Sequence, residues 1–229
     1  MAKIVLYDIE STNLDADFGT TLAFGWKVLG DKKAHTISLL DFCDPCKSCG
    51  KFDAHSDVAL LERVWEILST ADVVVTWYGK GFDEKFLNTR MLDAGLPPMP
   101  NVPHVDLYFT AKHKLKLSSN RLASVQEFLR LPVAKTPLTR NTWRAAEAGD
   151  AKALKYIEHH CLMDVEVLEG AYLKLRPFVR QHPRVNGYGP CRVCGAEVQS
   201  RGIVLTAKKN EKRRVWCPKC GHWDSRKLD

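Results

Sequence analysis

Nothing in this chain resembles a membrane span: no apolar run approaches the roughly 20 residues that a bilayer-crossing helix needs. The first residues lack the basic and apolar regions of a secretory signal and open directly on a strand-like run, Lys3-Ile4-Val5-Leu6-Tyr7-Asp8. No internal repeat or low-complexity tract is present, and 14 glycines and 11 prolines in 229 residues exclude a collagen-like chain. Wholesale disorder is excluded as well, because 45% of the residues are hydrophobic and 27% charged, the balance of an ordinary globular protein. The expectation is a cytoplasmic protein without membrane association, large enough for one sizeable domain and a small module.

Acidic residues are scarce in one region. Residues 176–229 hold 13 Lys/Arg against 4 Asp/Glu, whereas residues 1–175 hold 21 against 23. All of the excess positive charge, +7 for the whole chain, therefore lies in the last quarter. A localised basic segment fits a polyanionic partner such as nucleic acid, or simply a solvated face.

Eight cysteines are present, but seven of them fall in tight groups: Cys43/Cys46/Cys49, Cys191/Cys194 and Cys217/Cys220. Two-residue gaps flanked by Pro or Gly read as metal knuckles in a reducing compartment and not as a disulfide framework. Cys191, Cys194, Cys217 and Cys220 have the spacing of a tetrahedral Zn²⁺ site, with a hairpin over residues 198–216 between the two knuckles. Such a ribbon is too small to fold on an apolar core alone, so zinc would supply much of its stability. Its Lys208, Lys209, Lys212, Arg213 and Arg214, with Trp216, offer cations and a stacking ring to nucleic acid; docking onto a protein is the other reading of the module. Cys43, Cys46 and Cys49 need a fourth ligand, for which His55 and His35 are candidates, and a second zinc site and unliganded thiols are both open. Cys161 lies on an apolar helical stripe and reads as a core residue.

Strands at 3–9, 20–29 and 34–41 are followed by a Cys-rich insertion (42–55), a helix at 57–70, a strand at 72–77 and a helix at 83–94. A short strand at 104–107 and helices at 121–131 and 150–176 complete an α/β domain over residues 1–180. The consecutive early strands imply a mixed sheet flanked by helices, and a Pro- and Gly-rich linker leads to the ribbon at 187–229.

Three segments carry chemistry. In an extended chain Asp8 and Glu10 point to one face, so two carboxylates sit side by side at the end of a core strand. Two such charges repel, and a hard divalent cation is their natural partner; solvated turn acids are the bland reading. The second segment is a buried strand, a Gly-rich turn and Phe82-Asp83 at a helix start, where Asp83 would serve as an N-cap or as a functional acid. In the third, Ile157, Cys161, Val165, Leu168 and Tyr172 form an apolar stripe, and His160 and Asp164, four apart, share the adjacent face.

Together the segments resemble the DEDD superfamily of 3′–5′ exonucleases, which have an RNase H-like fold, and among them the relatives of the family B DNA polymerase proofreading domain. Asp8 and Glu10 match the first motif, Phe82-Asp83 the second and Asp164 the third, over roughly residues 3–176. The resemblance implies hydrolysis of DNA or RNA with two Mg²⁺ or Mn²⁺ ions, held by Asp8, Glu10, Asp83 and Asp164. Two departures stand out. Tyr78 occupies a position at which those relatives usually carry Asn. The third motif usually has Tyr four residues or His five residues before its Asp, and here those positions are His160 and His159. On an unbroken helix the residue four back lies about 40° from Asp164 and the residue five back about 140°. His160 is therefore the general base of choice, and His159 becomes one only if the helix breaks. An RNase H-like endonuclease and a non-catalytic nucleic-acid-binding adaptor are the competing readings.

Overall fold

The structure, a computed structural model, describes residues 3–43, 51–132, 137–179, 182–183, 190–206 and 210–227. β1 (Ile4–Ser11) is buried on both faces along Ile4, Val5, Leu6 and Tyr7, which makes it a central strand. β2 (Thr21–Val28) pairs antiparallel with it and β4 (Val73–Thr76) parallel, in the registers Val5↔Val28 and Leu6↔Val75. β3 (His35–Ser38) and β5 (His104–Asp106) form the edges, giving a mixed sheet of order β3-β2-β1-β4-β5. Helices cover both sides: α1 (Val58–Ser69) and α2 (Asp83–Asp93) on one, α3 (Leu107–Lys114) and the long α6 (Ala151–Leu175) on the other, with α4 (Leu122–Phe128) and α5 (Arg140–Glu147) packed on α6. The expected mixed sheet flanked by helices is the observed one.

The period of β1 divides its side chains between two cores. Val5, Tyr7 and Ile9 face α1 and α2, while Ile4 and Leu6 face α3 and α6. Asp8 and Glu10 continue the Leu6 side and so emerge beneath α6. The 34–41 strand is shorter than expected, since Ser38 caps a 3₁₀ turn at Leu39–Asp41 with its side chain accepting from Leu40 N–H. Residues 30–31 make the anticipated hairpin turn, with Gly30 at φ 95° and Asp31 N–H donating to Val28 O.

Two charged groups tie helices to this frame. Arg90 of α2 forks onto the fully buried Asp57 ahead of α1, whose other oxygen contact is Thr21 N–H. Lys27 of β2, 4% exposed, bridges Glu166 and Glu169 of α6 at 2.7 Å each. The C-terminal module is a three-stranded antiparallel sheet of β6 (Gln199–Leu205), β7 (Glu211–Trp216) and β8 (Trp223–Lys227). The sequence reading had the β6–β7 hairpin and lacked β8.

Candidate metal centre

Asp8 sits opposite Gly25 on β2. A Cβ at Gly25 would lie 2.9 Å from Cys161 Sγ and 3.1 Å from its carbonyl oxygen, so glycine lets α6 approach the sheet at the acid. α6 is unbroken from Ala151 to Leu175, started by Asp150, whose side chain accepts from Lys152 and Ala153 N–H. Continuity places Ile157, Cys161, Val165, Leu168 and Tyr172 in the core, as their spacing predicts. It also sets His160 beside Asp164, with Nε2 3.6 Å from Oδ2, brings Asp164 near Asp8 and Glu10, and leaves His159 exposed.

Asp83 is not the N-cap of α2; Phe82 holds that position and Asp83 is the first helical residue. Its carboxylate accepts from Ile9 N–H at 3.2 Å, between Asp8 and Glu10, which locks it to the end of β1. The turn before it is held by a residue that the sequence did not single out. Asp106, at the end of β5, accepts from Tyr78, Lys80 and Tyr108 N–H, each at 3.0 Å. Tyr78 itself lies in the left-handed region at φ 68°, a conformation that asparagine adopts far more readily than other side chains. Side chains at Gly79 and Gly81 would collide with Thr76 and with the Tyr78 ring.

The four carboxylates act on one another. Burial first, then Asp83, Glu10 and Asp164, push the Asp8 carboxyl well above its ordinary range. Glu10 is raised in the same way by burial, then Asp164 and Asp83. Asp83 is pushed up to about 7, chiefly by burial, against the lowering effect of its backbone hydrogen bonds. Donor atoms of Asp8, Glu10 and Cys161 lie within 4.8 Å of one another. The Cys161 thiol, 3.5 Å from Asp8 O, is forced well above its usual range by burial and then by Asp8, and so stays neutral. Hard oxygen donors crowded at a repulsive cost fit a divalent cation of the Mg²⁺ or Mn²⁺ class, and a neutral thiol walls that site without serving as a hard-metal ligand.

Beside Glu10 lies a cleft of about 660 Å³, lined by Ile9, Thr12, Leu14, Phe82, Arg140 and Trp143 among others. Arg140 and Trp143 belong to α5, a short helix after the 133–136 segment that the sequence reading missed. A second cavity, about 600 Å³, is lined by Tyr7, Lys80, Glu84 and His104 among others.

In the ribbon, Cys191, Cys194, Cys217 and Cys220 bring their sulfurs within 4.8 Å of one another. The Cys191–Cys220 and Cys194–Cys217 pairs are 3.6 and 3.5 Å apart. A tetrahedron with Zn–S near 2.3 Å has S···S edges of about 3.8 Å, so this cluster fits zinc. A backbone hydrogen bond at His222 lowers the Cys220 thiol, but burial and the three neighbouring thiols outweigh it and push it to about 12. Cys46, Cys49, Lys208 and Lys209 lie outside the described residues. Cys43 is half-buried, His55 exposed, and the His35 ring stacks on Trp26 at 5.3 Å.

The model of one family, the RNase H superfamily, matches residues 5–175, about three quarters of the sequence. The chain belongs to the RNase H superfamily. Among solved structures it is similar to the family B DNA polymerase of the hyperthermophilic archaeon Pyrobaculum calidifontis. That match has a TM-score of 0.58 and 16% identity, and it covers 77% of this chain and 25% of the polymerase. It is also similar to E. coli exonuclease I in complex with a dT13 oligonucleotide, with a TM-score of 0.47 and 11% identity over 79% of this chain and 42% of that one. No curated protein matches. The chain thus spans a quarter of the polymerase and less than half of the exonuclease, and at 16% identity the likeness to the polymerase is one of fold. Fold family and acid cluster together support a nuclease with divalent-metal sites. Among the described residues no helix is long and apolar enough to cross a membrane.

Proposed function

We propose that this chain is a metal-dependent 3′–5′ exonuclease acting on DNA or RNA, built from a nuclease domain (residues 1–180) and a zinc ribbon (187–229). The observation that carries the reading is the convergence of Asp8, Glu10, Asp83 and Asp164 from three elements on one end of β1. A protein that only bound nucleic acid would gain nothing by crowding four carboxylates where a phosphate must come. Asp8, Glu10, Asp83 and Asp164 would hold two Mg²⁺ or Mn²⁺ ions. When bound, those ions would offset the charge of the scissile phosphate and make water nucleophilic at neutral pH.

The chain's own residues do the rest. His160, whose Nε2 lies 3.6 Å from Asp164 Oδ2, would take the proton of the attacking water as its oxygen bonds to phosphorus. The P–O3′ bond breaks, and the released 3′ oxygen is protonated from solvent. Asp106 holds the Tyr78–Lys80 turn so that Asp83 stays docked on Ile9 N–H. The cleft between Glu10 and α5 offers Phe82 and Trp143 to a terminal base and Arg140 to a backbone phosphate. The basic ribbon, where all of the chain's excess positive charge lies, tethers the strand from which nucleotides are removed.

A 5′-labelled oligonucleotide incubated with Mn²⁺ tests this. Successive shortening from the 3′ end, absent without added metal and absent in Glu10→Gln, is expected. Internal fragments appearing before any shortening would favour an endonuclease, and digestion undiminished in Asp8→Ala would overturn the metal-centre reading altogether.

A further inference from the structure

The register of the ribbon sorts its side chains onto two unlike faces. Val215 is fully buried against the cysteine cluster, and the residues that share its face are Arg213, Glu211, Asp224 and Arg226. There the charges are satisfied locally. Asp224 meets Arg192 at 3.0 Å and Arg226 at 3.1 Å, and Arg213 donates to Ser200 Oγ. Both carboxylates of the three strands, Glu211 and Asp224, fall on this zinc side.

The opposite face has a different chemistry. Trp216 stands directly across from Trp223, Arg214 from Ser225 and Lys212 from Lys227. The two indole rings are 6.3 Å apart. Arg214 lies 4.4 Å over the Trp223 ring. Arg201, displaced by the irregularity between Ser200 and Ile203, lies 5.0 Å over Trp216. Trp223 is 47% exposed although its ring is among the largest apolar groups in the module. Two aromatic plates, each topped by a guanidinium, with a pair of lysines further along the same face and no strand carboxylate on it, have the composition of a surface on which unpaired bases stack while their phosphates meet cations.

We propose that this face, Arg201, Lys212, Arg214, Trp216, Trp223 and Lys227, is a docking platform for an unpaired nucleic-acid strand. It deepens the exonuclease reading and rests on it in one respect, that nucleic acid is the substrate. The platform replaces a diffuse basic loop by one sheet face, adds Arg201, Trp223 and Lys227 to the contacts, and leaves Arg213 out. Stacking requires bases whose flat faces are free, so the platform selects single strands over duplex.

Fluorescence anisotropy of the zinc-loaded full chain with labelled dT20, without added Mg²⁺ or Mn²⁺, tests the proposal against a 20-base-pair duplex. Trp223→Ala is expected to weaken dT20 binding about tenfold and Trp223→Phe to restore most of it. Lys212→Gln and Lys227→Gln should each flatten the salt dependence, which Trp223→Ala leaves alone. Arg213→Gln should change affinity less than about twofold, since it sits on the other face. Zinc content of each variant, measured by release to a chromogenic chelator, confirms that the ribbon is assembled. Equal affinity of Trp223→Ala and the parent chain overturns the proposal. So does equal binding of duplex and single strand, or equal displacement of dT20 by polyglutamate, because either would reduce the face to unspecific charge. Hydrolysis of thymidine 5′-(p-nitrophenyl phosphate) by the parent chain and by Glu10→Gln, with Mn²⁺, needs only the carboxylate centre. It therefore reports on the nuclease reading separately.

Discussion

Asp83→Asn should make the metal-free protein more stable while removing its activity. Asp83 is 3% exposed, and its carboxyl is pushed from 3.8 up to about 7. A native pKa above the unfolded value means that the folded chain retains a proton which the unfolded chain releases. Folding is thus favoured most below about pH 4, and that advantage is lost as pH rises toward 7. The displacement corresponds to about 4 kcal/mol of destabilisation above pH 7. Asparagine keeps an oxygen for Ile9 N–H and removes the charge, so at pH 8 the variant should melt roughly 10 °C higher for a chain of this size. At pH 4 the two proteins should melt together. Added Mn²⁺ should raise the melting temperature of the parent chain more than that of the variant, since only the parent keeps all four acids. Circular dichroism melts at pH 4, 6 and 8, with and without Mn²⁺, decide the matter. A gap between variant and parent that is the same at pH 4 and pH 8 would refute the electrostatic reasoning, and so would a variant less stable at pH 8.

Three further outcomes follow from the packing and the ribbon. Gly25→Ala forces a Cβ against the Cys161 sulfur and carbonyl, and is expected to cost about 1–3 kcal/mol in urea unfolding. Adding Cys161→Ala should recover only part of it, because the carbonyl and the Val165 methyl remain in the way. Lys27→Met strands Glu166 and Glu169 against the sheet and should cost about 3–5 kcal/mol by the same measurement, with partial recovery when both glutamates are also replaced by leucine. Cys217→Ser, at a fully buried position of the thiol cluster, should abolish zinc retention measured by atomic emission and expose the ribbon to limited proteolysis, while the β1–β5 sheet keeps its melting transition.

Local patterns in the chain mark out each piece of this molecule. An apolar run ending in Asp8-Ile9-Glu10, a strand and glycine turn ending in Phe82-Asp83, and a 3.6-residue stripe with His160 and Asp164 beside it each follow from near-neighbour periodicity. So do the two Cys-x-x-Cys knuckles, because a metal site with short ligand spacing is a local object. α3 and α5 escaped detection for the converse reason. α3 carries apolar and charged residues with little separation between its faces, and α5 offers only Trp143, Ala145 and Ala146 as apolar residues, too few to mark a stripe.

Tertiary structure alone decided which of these pieces meet. The N-cap reading of Asp83 was reasonable from sequence, and it failed because Ile9 N–H, 74 residues away, takes the carboxylate. Cys161 reads as core by its stripe, and it is core, yet the register Asp8↔Gly25 removes the side chain that would have separated its sulfur from the acid. Asp106 looks like any acid at a strand end until its three backbone N–H partners are seen. The aromatic face of the ribbon depends on β8, whose pairing with β7 sets Trp223 beside Trp216. Sequence determines what each segment prefers over a turn or a strand's length. Carboxylates brought together from distant segments are a property of strand order and register, which only the folded chain possesses.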